Sequence, residues 1–163
     1  MDTAMTLRSK ILQAEEISFT MDITADYGDR TQSFSMQCSS DSRGDVTFVV
    51  MQPETISGIS GRLTGEGGSL LFDDVALHFP LLAEERLTPV STPWILVKTL
   101  RSGYLTSACT EDQGIRISIN DRYEEDALQL DIWLNGDALP ESIDILYDGK
   151  RILSAAVKDF VIV

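Results

Sequence analysis

The run Ile17-Ser18-Phe19-Thr20-Met21-Asp22-Ile23-Thr24 alternates apolar and polar side chains without a break. A period of two puts Ile17, Phe19, Met21 and Ile23 on one face of an extended chain and Ser18, Thr20, Asp22 and Thr24 on the other, which predicts a half-buried β-strand. The alternation returns at Phe34, Met36 and Cys38 against Ser33, Ser35 and Gln37. Tyr27-Gly28-Asp29 supplies the turn between them, so the two runs predict a hairpin. Before them, Ala4, Leu7, Ile11 and Ala14 recur at helical spacing behind Asp2 or Thr3 as N-cap, predicting an amphipathic helix over residues 3 to 14. After them, Val46 to Met51 is a nearly continuous apolar run, and Pro53 ends it because proline has no N–H for the ladder.

Further strand-like runs begin near Gly58, Ser69, Val75, Tyr104, Gly114, Ala127, Glu141 and Arg151. Together they predict an antiparallel meander of about eleven strands. One helix interrupts it between residues 80 and 103: Ser91 or Thr92 caps it, Pro93 takes its first position, Trp94, Val97 and Leu100 share a face, and Gly103 stops it. Asn135-Gly136 and Asp148-Gly149 are the clearest turn signals, the second closing a hairpin between Ile143 to Tyr147 and Ile152 to Val157. A sheet of this size covers one apolar face by closing on itself or by taking helices into its opening. The fold class is therefore α+β, a strongly curved antiparallel sheet with helices over its concave face, in a single domain over residues 1–163. Helices that fill the concavity incompletely leave an apolar cavity.

Composition narrows the function classes. The 163 residues hold 26 acidic and 13 basic side chains, a net charge of −13 that argues against nucleic acid and anionic membrane surfaces as partners. One histidine and two cysteines cannot build a zinc site of four cysteine and histidine ligands, or a three-histidine catalytic site, and no cofactor motif is present. No run reaches the roughly 18 apolar residues of a membrane span, and the first residues lack the apolar core of a secretion signal. Either the chain is cytoplasmic or a signal precedes it.

Each chemically suggestive residue has a plainer reading. His78, in the apolar run Val75 to Phe79, reads as a structural strand residue, and no catalytic residue is assigned. Cys38 and Cys109 read as two buried, unbridged thiols that pack as small hydrophobes. Gly65-Glu66-Gly67-Gly68 reads as a hairpin turn, and Asp121, Glu124, Glu125 and Asp126 as a solvated turn with no metal assigned. Arg43-Gly44-Asp45 matches an integrin-binding tripeptide but reads as an ordinary turn. What remains is an inventory of adaptable apolar side chains, Phe19, Met21, Phe34, Met36, Phe48, Met51, Phe72, Trp94 and Trp133, which suits either a core or a pocket for an irregular apolar ligand.

The C-terminal stretch Asn135-Gly136-Asp137-Ala138-Leu139-Pro140-Glu141-Ser142-Ile143-Asp144-Ile145, with Asp148-Gly149-Lys150-Arg151 and Val157-Lys158-Asp159-Phe160, resembles the end of the LolA/LolB-like lipoprotein-localisation superfamily. Val46 to Met51 followed by Pro53-Glu54-Thr55-Ile56, and Ser69-Leu70-Leu71-Phe72-Asp73, are similar to earlier strands of that family. The resemblance implies an unclosed half-barrel of about eleven strands lidded by helices. It further implies an extracytoplasmic protein, with a lipid anchor outside residues 1–163, that binds lipid or lipoprotein acyl chains, or that meets an envelope protein as a sensor with a filled core. The ligand-binding cavity is then bounded by Phe19, Met21, Phe34, Met36, Phe48 and Trp94. Ser57 stands where carriers of the family place an arginine near the lid, a departure that counts against energy-coupled lipoprotein transfer.

Overall fold

The computed structural model describes residues 2–65, 67–71, 82, 83, 87–112 and 114–163. Helix α1 (Asp2–Gln13) leads into β1 (Glu16–Asp26), β2 (Thr31–Asp41), β3 (Val46–Gln52), β4 (Ser60–Thr64) and β5 (Gly67–Leu71). Helix α2 (Thr92–Ser102) then precedes β6 (Tyr104–Glu111), β7 (Gly114–Asn120), β8 (Gln129–Leu134), β9 (Pro140–Tyr147) and β10 (Lys150–Ile162). All pairings are antiparallel, in the order β5-β4-β3-β2-β1-β10-β9-β8-β7-β6. The sheet is unclosed, with β5 and β6 at its two ends. Ten strands are described against the eleven or so expected; the run near Val75 lies outside the described residues, as do His78 and Phe72.

The deciding alternation in β1 becomes a burial alternation. Ile17, Phe19, Met21, Ile23 and Ala25 are buried while the residues between them are half-buried or exposed. β2 pairs with β1 in unbroken register from Glu16↔Asp41 to Asp26↔Thr31. Its turn is closed by Tyr27 N–H donating to the Arg30 carbonyl at 2.9 Å, with Gly28 at φ +90°.

The last strand needs a change of phase to stay apolar inside. Val157 and Phe160 are both buried although they lie three positions apart, an odd spacing that a regular strand would send to opposite faces. The register against β1 shifts between Ser18 and Thr20, and Asp159 takes φ +53°. This β-bulge returns Phe160 to the inner face, where its ring stacks on Phe19 with centroids 5.4 Å apart.

Helix α1 buries Ala4, Leu7 and Ile11, the stripe expected from its spacing. Helix α2 buries Pro93, Ile95, Leu96, Val97 and Leu100, but Trp94 is only half-buried and lies off the face it was expected to share with Val97 and Leu100. Thr92 and Pro93, polar or helix-opening by type, are buried in place of Trp94 because the first turn dips into the core. Gly103 ends α2, though not in the left-handed conformation usual for a glycine stop: its φ is −69°. Its requirement is space, since a Cβ there would sit 2.5 Å from Ile119 Cγ2 and 2.7 Å from the Thr99 carbonyl oxygen.

Candidate functional site

The concave face is built from rows of apolar residues running across the strands. One row passes from Phe34 through Ile23, Ala155, Ile143, Ile132 and Ile117 to Ala108, each residue a register partner of the next. Beside it, Val50, Met36, Met21 and Val157 form a second row, and Phe48, Cys38 and Phe19 a third that ends on Phe160. Five of the six residues expected to bound a cavity therefore stand side by side on adjacent strands. They are covered: Phe19 is 2% exposed, Met21 0%, Phe34 7%, Met36 0% and Phe48 2%, within one continuous apolar cluster that includes the inner faces of α1 and α2. Trp94, half-buried on α2, packs against the outside of that cluster, with Lys98 Nζ 5.2 Å from its ring centroid.

One cation ties the two covering helices together. The Arg8 guanidinium of α1 donates from Nε to the Leu100 carbonyl at 2.8 Å, and from Nη2 to the Gly103 carbonyl at 2.7 Å and the Thr99 carbonyl at 3.2 Å. Carbonyls at a helix C-terminus lack intrahelical donors, and a cation both satisfies them and opposes the helix dipole. Burial lowers the pKa of Arg8 from its ordinary value, and a guanidinium keeps its charge through such a shift.

The convex face carries the polar residues. Asp22 accepts from Lys158 Nζ at 2.8 Å and Ser35 Oγ at 2.7 Å, and these bonds, Lys158 first, hold its carboxyl below the usual range. Asp144 lies in register opposite Asp131 on the neighbouring strand. Burial first, then the Asp131 charge, pushes the Asp144 carboxyl up, against the pull of Arg151 at 3.9 Å. The acidic turn is organised by hydrogen bonds and ion pairs: Asp121 accepts from Leu128 N–H at 2.7 Å, and Arg122 bridges Glu124 at 3.0 Å and Asp126 at 2.8 Å.

Both cysteines are unbridged. Cys38 is buried on the concave face, and burial pushes its thiol far above the ordinary range. Cys109, expected to be buried, is exposed, because it falls on the convex side of the end strand β6, where Arg116 Nη2 donates to its Sγ at 3.5 Å. Its position on an end strand was not legible from a run that alternates as weakly as β6 does.

The Arg43-Gly44-Asp45 tripeptide forms the turn between β2 and β3, as expected. Asp41 Oδ1 accepts from Arg43 N–H at 2.9 Å and Asp45 N–H at 3.1 Å. Asp45 is held by Arg62 at 3.0 Å, and the Arg101 side chain packs on Gly44 so closely that a Cβ there would be 3.0 Å from Nε. Beside this turn a pocket of about 350 Å³ opens between Arg43, Asp45, Trp94, Lys98 and Arg101. Sequence reading did not assemble it. The signal was present in Trp94-x-x-x-Lys98-x-x-Arg101, which is one polar stripe of α2, but the turn that meets that stripe is about fifty residues away and could not be placed.

No protein-family model and no curated protein matches this sequence. In fold it is similar to an uncharacterised conserved protein from Thermus thermophilus, at 12% identity over 98% of this chain and 87% of that one, TM-score 0.50. It is also similar to a LolA superfamily protein from Nitrosomonas europaea, at 12% identity over 96% and 92% of the two chains, TM-score 0.49. In the MucA/MucB complex of Pseudomonas aeruginosa the matched chain is covered over 57% of its length by 99% of this one, at 9% identity and TM-score 0.43. At 12% identity the Thermus likeness shows the fold alone. No described helix is long and apolar enough to cross a membrane.

Proposed function

We propose that this chain is a non-enzymatic extracytoplasmic binding domain that takes an acyl chain, or another apolar ligand, onto the concave face of its sheet. The observation that carries this reading is the construction of the cover. Helices of 12 and 11 residues overlie a sheet of ten strands, and the hydrogen bonds joining them to each other run through Arg8 alone among the described residues. Lifting that cover would uncover Met21 and Met36, unbranched side chains able to repack around a flexible chain. The low exposure of Phe19, Met21, Phe34, Met36 and Phe48 with the cover in place supports a second reading, an envelope interaction domain with a filled core that meets a protein partner.

A series of uncharged n-alkanols of increasing chain length, titrated calorimetrically, separates the two. Apolar binding gives affinity that rises by up to about 0.8 kcal/mol per methylene buried, then levels off when the space is full. The emission of Trp94, which rides on the cover, shifts with occupancy. If no member of the series binds below millimolar concentration, the acyl-chain reading fails and the filled-core reading replaces it.

A further inference from the structure

Among the described grooves, only the one beside Trp94 has an excess of cations. Among its described lining residues Arg43, Lys98 and Arg101 stand with the one carboxylate of Asp45, whereas the described lining of the groove across β1 to β4 has one acid and one base, Glu16 and Arg62, and that of the groove below α1 has Lys10 and Asp137. In a chain with twice as many acidic as basic residues, cations should find carboxylates readily, and Arg62, Arg116, Arg122, Arg151 and Lys158 do. Lys98 and Arg101 have no ion pair among the described residues. They are not spent as caps of α2 either, since Arg8 already serves the carbonyls of Thr99, Leu100 and Gly103. Asp45 is taken by Arg62 at 3.0 Å, so its charge is offset from behind, and Arg43 reaches Asp41 and Asp45 only at 3.8 and 4.0 Å while remaining 78% exposed.

The walls add a second requirement. The Trp94 ring forms one side with Lys98 over it, and Leu12 of α1, 49% exposed, lies at the edge. An inorganic anion would use the charges and leave this apolar surface wet. From this combination we infer that the pocket binds an anionic group, a phosphate or phosphate-like headgroup, carried on an apolar stem. Arg101 and Lys98 contact the anion, with the guanidinium offering paired donors to phosphate oxygens, Arg43 adds charge from the turn, and the stem lies on Trp94 and Leu12. The site is on the outer side of α2 and does not require the concave face to open.

The test is calorimetric titration of the full chain at low salt with three probes: dihexanoyl phosphatidic acid, dihexanoyl phosphatidylcholine and inorganic phosphate. The phosphatidic acid binds at least about tenfold tighter than the other two, and added salt shrinks that margin. In Lys98→Gln/Arg101→Gln, which removes two half-buried charges with no ion pair among the described residues and keeps most of each stem, the preference disappears while a thermal melt confirms that the variant is folded. Equal binding of the two lipids, or an unchanged preference in that variant, overturns the inference. Inorganic phosphate binding as tightly as phosphatidic acid also overturns it, by showing a free-anion site with no use for the stem. Decanol, uncharged, probes the concave face separately: its failure to bind counts against the acyl-chain reading and leaves this pocket untouched.

Discussion

The two faces of the sheet use the same strands for opposite ends. Across the concave face the row Phe34-Ile23-Ala155-Ile143-Ile132-Ile117 contains no polar atom beyond the backbone, and each member is buried. Across the convex face the neighbouring positions carry Asp22, Ser35, Asp131 and Asp144, and solvent and hydrogen bonds decide what each one does. Asp22 is given a lysine and a hydroxyl, while Asp144 is given another carboxylate directly opposite. One face is thus held by volume and packing, which tolerate little change. The other tolerates charge, even badly placed charge, because water is close enough to soften it.

The largest effect that tests this contrast is on the concave side. Phe19→Ala removes a ring stacked on Phe160 and should cost about 3–5 kcal/mol in urea unfolding. Val49→Ala, on the convex side of β3 and 45% exposed, should stay within about 0.5 kcal/mol. A comparable loss at Val49 would mean that something covers the convex face. Next comes the tie between the helices: Arg8→Met keeps the stem but takes the guanidinium from the Leu100 and Gly103 carbonyls, leaving Thr99 its bond from Gly103 N–H, and should cost about 1–2 kcal/mol while raising amide exchange in α2 more than in β1. Uniform exchange in both would show that Arg8 is not what holds the cover.

The smallest effects are those of pH, and the two carboxylates move in opposite directions. Asp144 has a raised pKa, so its ionised form costs stability at neutral pH, and that cost is relieved as pH falls through its folded-state value towards about 4. Asp144→Asn should therefore melt above the parent at pH 7, with the gap closing on acidification. Asp22 has a lowered pKa, so its contribution is present above about pH 4 and is lost only as pH falls below that. Asp22→Asn should melt below the parent at pH 7, and its gap should begin to close only under more acidic conditions. Gaps of the same sign in a pair of thermal melts would break the contrast within the convex face.

The parts of this fold that sequence shows are those governed by local periodicity. β1 and β2, the Asp148-Gly149 hairpin and the stripe Ala4, Leu7, Ile11 each follow from neighbours in the chain. Trp94 was misplaced because its apolar type suits the core while its spacing puts it on the stripe of Lys98 and Arg101; which of these decides depends on what the helix meets, and here Thr92 and Pro93 meet the core instead. The bulge at Asp159 was hidden for a related reason. Val157-Lys158-Asp159-Phe160 can be read as one strand only if the extra residue is known, and that is set by the partner strand. The cationic pocket joins a turn to a helix from distant parts of the chain, so composition and spacing could name its members without bringing them together.

The strand order has a kinetic consequence. Every neighbour pair in the sheet joins strands consecutive in the chain, except β1 with β10. β1 to β5 and β6 to β10 are therefore two meanders, each assembled from hairpins whose loop-closure cost is small. The seam between them joins residues near opposite ends of the described chain, such as Ile17 and Ile162, and its formation must wait until most of the intervening chain is already compact. That seam therefore carries the largest loop-closure cost in the sheet, and the Phe19–Phe160 stack lies across it.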